Sequence, residues 1–223
     1  MTEVRALNVT AELRDYAVEH GSWPVTQVLA DLQEETAKLG RVSAMQIGAD
    51  QGQLLTLLAT LIGARQAVEV GTFTGYSSLC IARALPEDGR LICCDISEEW
   101  TSIGRRAWKR AGLQDRIDLR LGGALDTLRE LPEGEHLDLV FIDADKGGYV
   151  SYWNELVPRV RPGGLLLADN VLWSGRIVEE TSEDADIPAL RAFNDLVRDD
   201  DRVDQVMLTA FDGLTLARKK DYS

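Results

Sequence analysis

Apolar and polar positions along the chain change period part-way. Up to residue 62 the spacing is helical. Val25, Val28, Leu29 and Leu32 share one face and Gly40 stops the run, which makes residues 1–40 helical and peripheral. A second helix over 50–62 is expected to carry Leu54, Leu55, Leu57, Leu58 and Leu61 inside and to end at Gly63. From residue 67 short apolar runs alternate with helical stretches. Strands are predicted over 67–70, 91–94, 117–121, 137–142 and 165–168, and helices over 76–85, 98–111, 124–131 and 149–160. Pro86-Glu87-Asp88-Gly89 and Pro162-Gly163-Gly164 read as turns. Continuous β-rich runs separated by helices predict a parallel sheet covered on both faces. The tail differs: a helix over 187–197 precedes runs at 203–211 and 214–218, joined at Asp212-Gly213, which is a hairpin signal. The expected fold class is therefore α/β: a single doubly wound, Rossmann-like, mostly parallel seven-stranded sheet with an antiparallel C-terminal hairpin and helices on both faces. It is expected to form one domain over 1–223, with 1–45 as peripheral helices.

Composition narrows the partners. Of the 223 residues, 37 are acidic and 24 basic, giving a formal net charge of −13, which repels a polyanion and argues against a nucleic-acid partner. Three cysteines, Cys80, Cys93 and Cys94, two of them adjacent in an apolar run, do not make a disulfide framework and read as buried, reduced thiols. There is no apolar run of 18 residues and no signal region behind the polar start Met1-Thr2-Glu3, so a cytoplasmic protein with no membrane partner is expected.

In open α/β sheets ligands bind outside the carboxyl ends of the strands. The first such end reads Glu69-Val70-Gly71-Thr72-Phe73-Thr74-Gly75-Tyr76-Ser77. Phe73 stands where a dinucleotide fingerprint needs its second glycine, which blocks close approach of a pyrophosphate. What remains is a tight loop with an acid before it and hydroxyls after it, and Asp95 at the next strand end, placed to accept from ribose hydroxyls. A cofactor with an adenosine, a positive charge and no phosphate suits such a site. S-adenosylmethionine fits, with Glu69 holding its charged amino-acid end.

Strands four and five end in Asp143-Ala144-Asp145-Lys146 and Asp169-Asn170. Adjacent strands would bring Asp143 near Asp169 and Asn170, a hard, all-oxygen set that selects Mg²⁺ over zinc or copper and leaves about three of six octahedral positions free. Lys146, three residues after Asp143, is placed to point into the same cleft.

These residues resemble a known family, the cation-dependent, S-adenosylmethionine-dependent O-methyltransferases of the catechol and caffeoyl-CoA type. The resemblance spans residues 40–218 and rests on Ala49-Asp50-Gln51-Gly52-Gln53, the 69–77 loop, Asp143-Ala144-Asp145-Lys146 and Asp169-Asn170-Val171-Leu172-Trp173, in matching order and spacing. It implies metal ligands at Asp143, Asp169 and Asn170, with Ca²⁺ or Mn²⁺ able to replace Mg²⁺. It implies cofactor contacts at Ile47, Glu69, Gly71, Thr72, Phe73, Ser77, Asp95, Ala124 and Asp143. Ile47 stands where some relatives have threonine, so only a backbone contact survives there. Lys146 matches the lysine given as general base, acting beside Asp143.

Methyl transfer to one hydroxyl of a vicinal diphenol is the activity implied, with a small phenolic substrate walled by Met45, Trp173 and Ser174 and by Tyr149 or Trp153. Ser174 replaces an asparagine of plant relatives, which argues against the plant substrate. Family members are commonly homodimers. Some relatives instead methylate a hydroxylated tRNA uridine. The net charge argues against this, and the one basic cluster, Arg105, Arg106, Lys109 and Arg110, reads as a solvated helix face.

Overall fold

The computed structural model describes residues 8–21 and 26–221. Seven strands form one sheet in the order β3-β2-β1-β4-β5-β7-β6. They are β1 (Gln66–Val70), β2 (Arg90–Asp95), β3 (Ile117–Leu121), β4 (Leu137–Ile142), β5 (Val160–Ala168), β6 (Val203–Leu208) and β7 (Leu214–Lys219). The first five are mutually parallel, and β7 runs antiparallel to both β5 and β6. The chain winds outward from β1 to β3, then returns to the other side of β1 as β4. The β1/β4 boundary is thus the switch point where a crevice opens.

Alternation along the strands feeds two cores. Ala67, Leu139 and Phe141 face α2 (Gln27–Ala37), α3 (Ala49–Leu61), α4 (Tyr76–Ala84) and α5 (Glu98–Arg110). Val68, Val70, Val140 and Ile142 face α6 (Ala124–Arg129), α7 (Tyr149–Leu156) and α8 (Asp186–Asp199). Period two also decides that Glu69 enters the α4 side, where it is fully buried.

Four expectations are corrected. The leucines of α3 cannot share one face of a 3.6-residue helix: Leu55 is buried with Gln51, Gly52 and Ala59, while Leu61 is 70% exposed and Leu57 also faces solvent. The helix after β4 ends at Leu156, followed by a 3-10 turn, Val157–Arg159, containing Pro158. Pro162-Gly163-Gly164 lies inside β5 rather than before it. Register moves from Leu137↔Val160 to Leu139↔Leu165, so these residues form a bulge that lets the strand begin early. The last hairpin has a five-residue tip, since pairing ends at Leu208↔Leu214. At the N-terminus the helical stretch is two helices, α1 (Ala11–Gly21) and α2. Residues 1–7 and Val25 lie outside the described residues.

Two further features bear on later arguments. Cys80, Cys93 and Cys94 are free and buried, and burial pushes all three thiols up, Cys80 and Cys94 to about 12. On α5, Arg106 pairs with Glu35 and Arg110 with Asp31 of α2, and Arg105 lies 3.6 Å from Glu98. The basic cluster is thus largely neutralised within the chain. Among the described residues no helix is long and apolar enough to cross a membrane.

At the opposite edge of the sheet from the site, Asp138 ties three elements together. Its carboxylate accepts from the backbone N–H groups of Arg65 and Gln66 at 2.7 and 2.8 Å and from Arg161 Nε. Burial opposes ionisation, but the Gln66 N–H, Arg161 and the Arg65 N–H outweigh it and lower the pKa. A lowered folded value means stability present above the unfolded value and lost as pH falls. We expect Asp138→Asn to lose about 2 kcal/mol at pH 7 in urea denaturation, and the difference from wild type to shrink as pH falls below 4. An undiminished difference at acid pH would refute the electrostatic account.

Candidate active site

The carboxyl edge at the switch point is built from three strand ends held in one row. The parallel ladder continues past β1, β4 and β5: Gly71 N–H donates to Cys94 O, Asp143 N–H to Val70 O and Asp169 N–H to Ile142 O, at 2.9, 2.8 and 3.0 Å. Gly71 sits at φ +91°, and a Cβ there would overlap the Asp143 carbonyl, so only glycine lets the two strand ends approach this closely. Beyond it the loop turns through Phe73 at φ +51°. Asp95 fixes this turn: its Oδ2 accepts from Thr72 and Phe73 N–H at 2.9 and 2.8 Å, and its Oδ1 from Ser97 N–H at 2.8 Å. The acid expected to meet a ligand also holds the loop in shape. Thr36 Oγ1 donates to Thr74 Oγ1 at 2.8 Å, anchoring α2 to the same loop.

Glu69 lies beneath the loop. Its Oε2 accepts from Ser78 Oγ, and its Oε1 is buried without a hydrogen-bond partner. Burial pushes its carboxyl up to about 7, against the smaller pull of the Ser77, Ser78, Cys93 and Thr72 side chains. An unpartnered buried carboxylate oxygen suits a cationic ligand group.

The second cluster stands on β4 and β5. Lys146 is 7% exposed, and its Nζ donates to Tyr149 Oη at 2.7 Å and Asn170 Oδ1 at 2.7 Å, with Asp143 Oδ1 at 3.4 Å. Tyr149 passes its own O–H to the Asp169 carbonyl at 3.0 Å. Asp169 is 3% exposed. Burial first, and then the neighbouring Asp143 charge, raise its carboxyl above the usual range. Asp143 is raised by burial too, with Lys146 pulling it back and Asp212 adding to the rise. Asp143 and Asn170 thus bring oxygens to a single ammonium, with the buried Asp169 carboxyl electrostatically linked to Asp143 and Lys146. The chemistry available is cation binding and proton transfer at Nζ.

The sequence model of a family described as O-methyltransferase matches residues 19–220. Caffeoyl-CoA O-methyltransferase 2 of Eucalyptus globulus is 38% identical over 222 residues, covering 93% of this chain and 88% of that protein. Catechol O-methyltransferase domain-containing protein 1 of Mus musculus is 41% identical over 173 residues, 76% of this chain and 66% of that one. The crystal structure of the O-methyltransferase from Bacillus cereus in complex with SAH superposes with a TM-score of 0.85 at 31% identity, covering 94% of this chain and 97% of that one. The chain belongs to the O-methyltransferase family.

In this methyltransferase the remaining expected residues fall as follows along the chain. Ile47, before α3, is buried. Ser77 opens α4 beside Glu69, and Ala124 opens α6 just past β3. Met45 is 47% exposed at the end of a 3-10 turn. Trp173 and Ser174 occupy a tight turn at φ +47° and +54°. Trp173 Nε1 donates to Asp184 Oδ2 at 2.9 Å, and its ring centroid lies 5.7 Å from Lys146 Nζ. Arg191 of α8 donates to the carbonyls of Ile177 and Glu179, stapling the segment that follows. Trp153 is not a wall residue: it is fully buried against Phe193, and its Nε1 donates to Asp200 at 2.8 Å.

Sequence reasoning missed two groups at the methyltransferase's second cluster. The buried Gln51 side chain on α3 acts on Asp169, pulling its pKa down against the larger effect of burial. Its place in the quoted 49–53 stretch was the available signal. The other group is Asp212, read only as part of a hairpin turn.

Glu69 gives a prediction with a definite sign. Its folded value of about 7 lies above the ordinary 4.5, so the folded protein holds a proton that the unfolded chain releases between the two. Stability therefore falls as pH rises across that window. Glu69→Gln should be more stable than wild type by about 3 kcal/mol at pH 8, and equal to it at pH 4, in thermal melts. A gain of the same size at both pH values would sink the assignment to ionisation.

Proposed function

We propose that the protein moves the methyl group of S-adenosylmethionine to one hydroxyl of a small vicinal diphenol, with Mg²⁺ held by Asp143, Asp169 and Asn170. The observation that carries this reading is the meeting of the Asp143 carboxylate and the Asn170 amide oxygen at Lys146 Nζ, with the buried Asp169 carboxyl electrostatically linked to both Asp143 and Lys146 at the ends of β4 and β5. Asp212 adds its negative charge to that of Asp143, and the Asp143 charge in turn raises Asp169, so the site has room for added positive charge, and an all-oxygen set favours Mg²⁺, Mn²⁺ or Ca²⁺. When bound, such a cation supplies Lewis acidity that lowers the pKa of a chelated phenol.

The protein's own groups do the rest. Lys146, in its neutral amine form, accepts the acceptor's hydroxyl proton at Nζ and becomes the ammonium, and Tyr149 and Asn170 keep that nitrogen in place. Glu69 holds the cofactor's amino group through its unpartnered oxygen. Gly71, Thr72, Phe73, Ser77, Asp95, Ile47 and Ala124 shape the remainder of the cofactor site, with Asp143 at its border with the cation. The fit to a SAM cofactor is supported by the Bacillus cereus structure in complex with SAH. Trp173, Met45 and Ser174 wall the phenol, and holding it in line with the methyl group supplies much of the rate.

A tRNA acceptor is the less favoured alternative, because three of the four basic residues on α5 are paired to acids. A cytoplasmic homodimer belongs to the same reading, and α1, which buries no residue against its own chain, is available for such an interface.

The test is transfer of labelled methyl to catechol, caffeate, a caffeoyl thioester and a hydroxylated kynurenine, each with Mg²⁺ and with EDTA. Transfer abolished by EDTA is expected. Asp169→Ala should lose at least ~10²-fold in kcat/KM while keeping most of its cofactor affinity, and Lys146→Ala about 10²- to 10⁴-fold. Full activity in EDTA would overturn the cation, and no transfer to any diphenol would overturn the acceptor class.

A further inference from the structure

The Asp212-Gly213 dipeptide, which the pattern marks as a turn, reaches back into the site. Asp212 Oδ2 accepts from Asn170 Nδ2 at 3.3 Å, and its Oδ1 accepts from Ser174 N–H. The two segments are also joined by backbone bonds from Leu172 N–H to Asp212 O and from Val171 N–H to Gly213 O, both 3.1 Å. Gly213 is at φ +85°, and a Cβ there would overlap Leu172.

An asparagine amide can be turned either way, and its two ends differ in what they offer a cation. Here Oδ1 meets the Lys146 ammonium at 2.7 Å while Nδ2 meets the Asp212 carboxylate. The reverse orientation would set N–H groups against the ammonium and an oxygen against a carboxylate, two repulsive contacts in place of two attractive ones. Asn170 is also held at φ +56°, so its backbone leaves the side chain aimed at this edge.

We infer that Asp212 is a positioning residue that fixes the amide of Asn170 with its oxygen toward the cation site and pins the turn carrying Trp173. This rests on the cation reading proposed above. Groups that orient a metal ligand from behind change affinity by roughly 10- to 100-fold when lost.

The charge and the amide can be exchanged between the two positions, which gives the test. In Asp212→Asn the new amide has no acceptor to offer Asn170 Nδ2 without losing Ser174, so the amide of Asn170 is free to turn. In Asn170→Asp the two carboxylates repel. In the double variant Asn170→Asp/Asp212→Asn, the amide at 212 donates to the carboxylate at 170, leaving an oxygen toward the cation. Mn²⁺ titrated into the full chain and followed by electron paramagnetic resonance reads affinity without turnover.

Asp212→Asn is expected to bind Mn²⁺ about 10-fold or more weakly, with the double variant recovering to within about 3-fold of wild type. If the effects of the two single changes simply multiply in the double, or if Asp212→Asn binds as wild type does, the inference is overturned and the cation site stands. If wild type itself binds no Mn²⁺, the cation reading falls and the inference falls with it. Asp212→Glu, which keeps the acceptor, serves if Asp212→Asn does not fold, and must retain more affinity than Asp212→Ala.

Discussion

The parallel register of β1, β4 and β5 is the constraint on which the site depends. Val70 pairs with Ile142 and Ile142 with Ala168, so Gly71, Asp143 and Asp169 emerge side by side at one edge. Neighbouring strands lie about 4.8 Å apart, a spacing that lets adjacent carboxylates share one small cation. A one-residue slip of β4 would send Asp143 to the opposite face and bring Ala144 to the edge. The core on both faces prevents that slip, since Phe141 and Ile142 are both fully buried on opposite sides of the sheet. Packing far from the chemistry therefore sets the chemistry's geometry.

That geometry is electrostatically uncomfortable for the protein's own groups. Glu69, Asp143 and Asp169 each sit where burial disfavours their charge; Lys146 partly offsets it for Asp143, and Gln51, the Asn170 N–H and Lys146 partly offset it for Asp169. A methyltransferase whose donor carries a sulfonium and an ammonium, and whose acceptor is chelated by a cation, would bring positive charge to the places that lack it. Sites of this kind bind by relieving a penalty already present in the fold.

Much of this was legible in the sequence because the informative residues sit at strand ends, where period and punctuation coincide. Continuous apolar runs located β1, β4 and β5, and the residues after each run had to face the edge. The Pro162-Gly163-Gly164 bulge was not legible, since the same three residues describe a turn before a strand equally well. The burial of α3 was overread because five leucines in eight positions hide which stripe meets the core. Asp212 and Gln51 escaped for a deeper reason: their partners, Asn170 and Asp169, lie 42 and more than 100 positions away in the chain. No local pattern encodes a side-chain contact made by folding a hairpin tip back over a strand end.

The buried cysteines have a practical consequence. Thiol reagents attack the thiolate, and Cys80, Cys93 and Cys94 are buried where desolvation raises their pKa and disfavours that form. Labelling of the folded chain by a maleimide is therefore expected to be slow at all three. Ile96, one residue past Asp95, is 82% exposed. A fluorophore on a cysteine installed there would sit beside the loop that Asp95 holds and report changes in its surroundings optically.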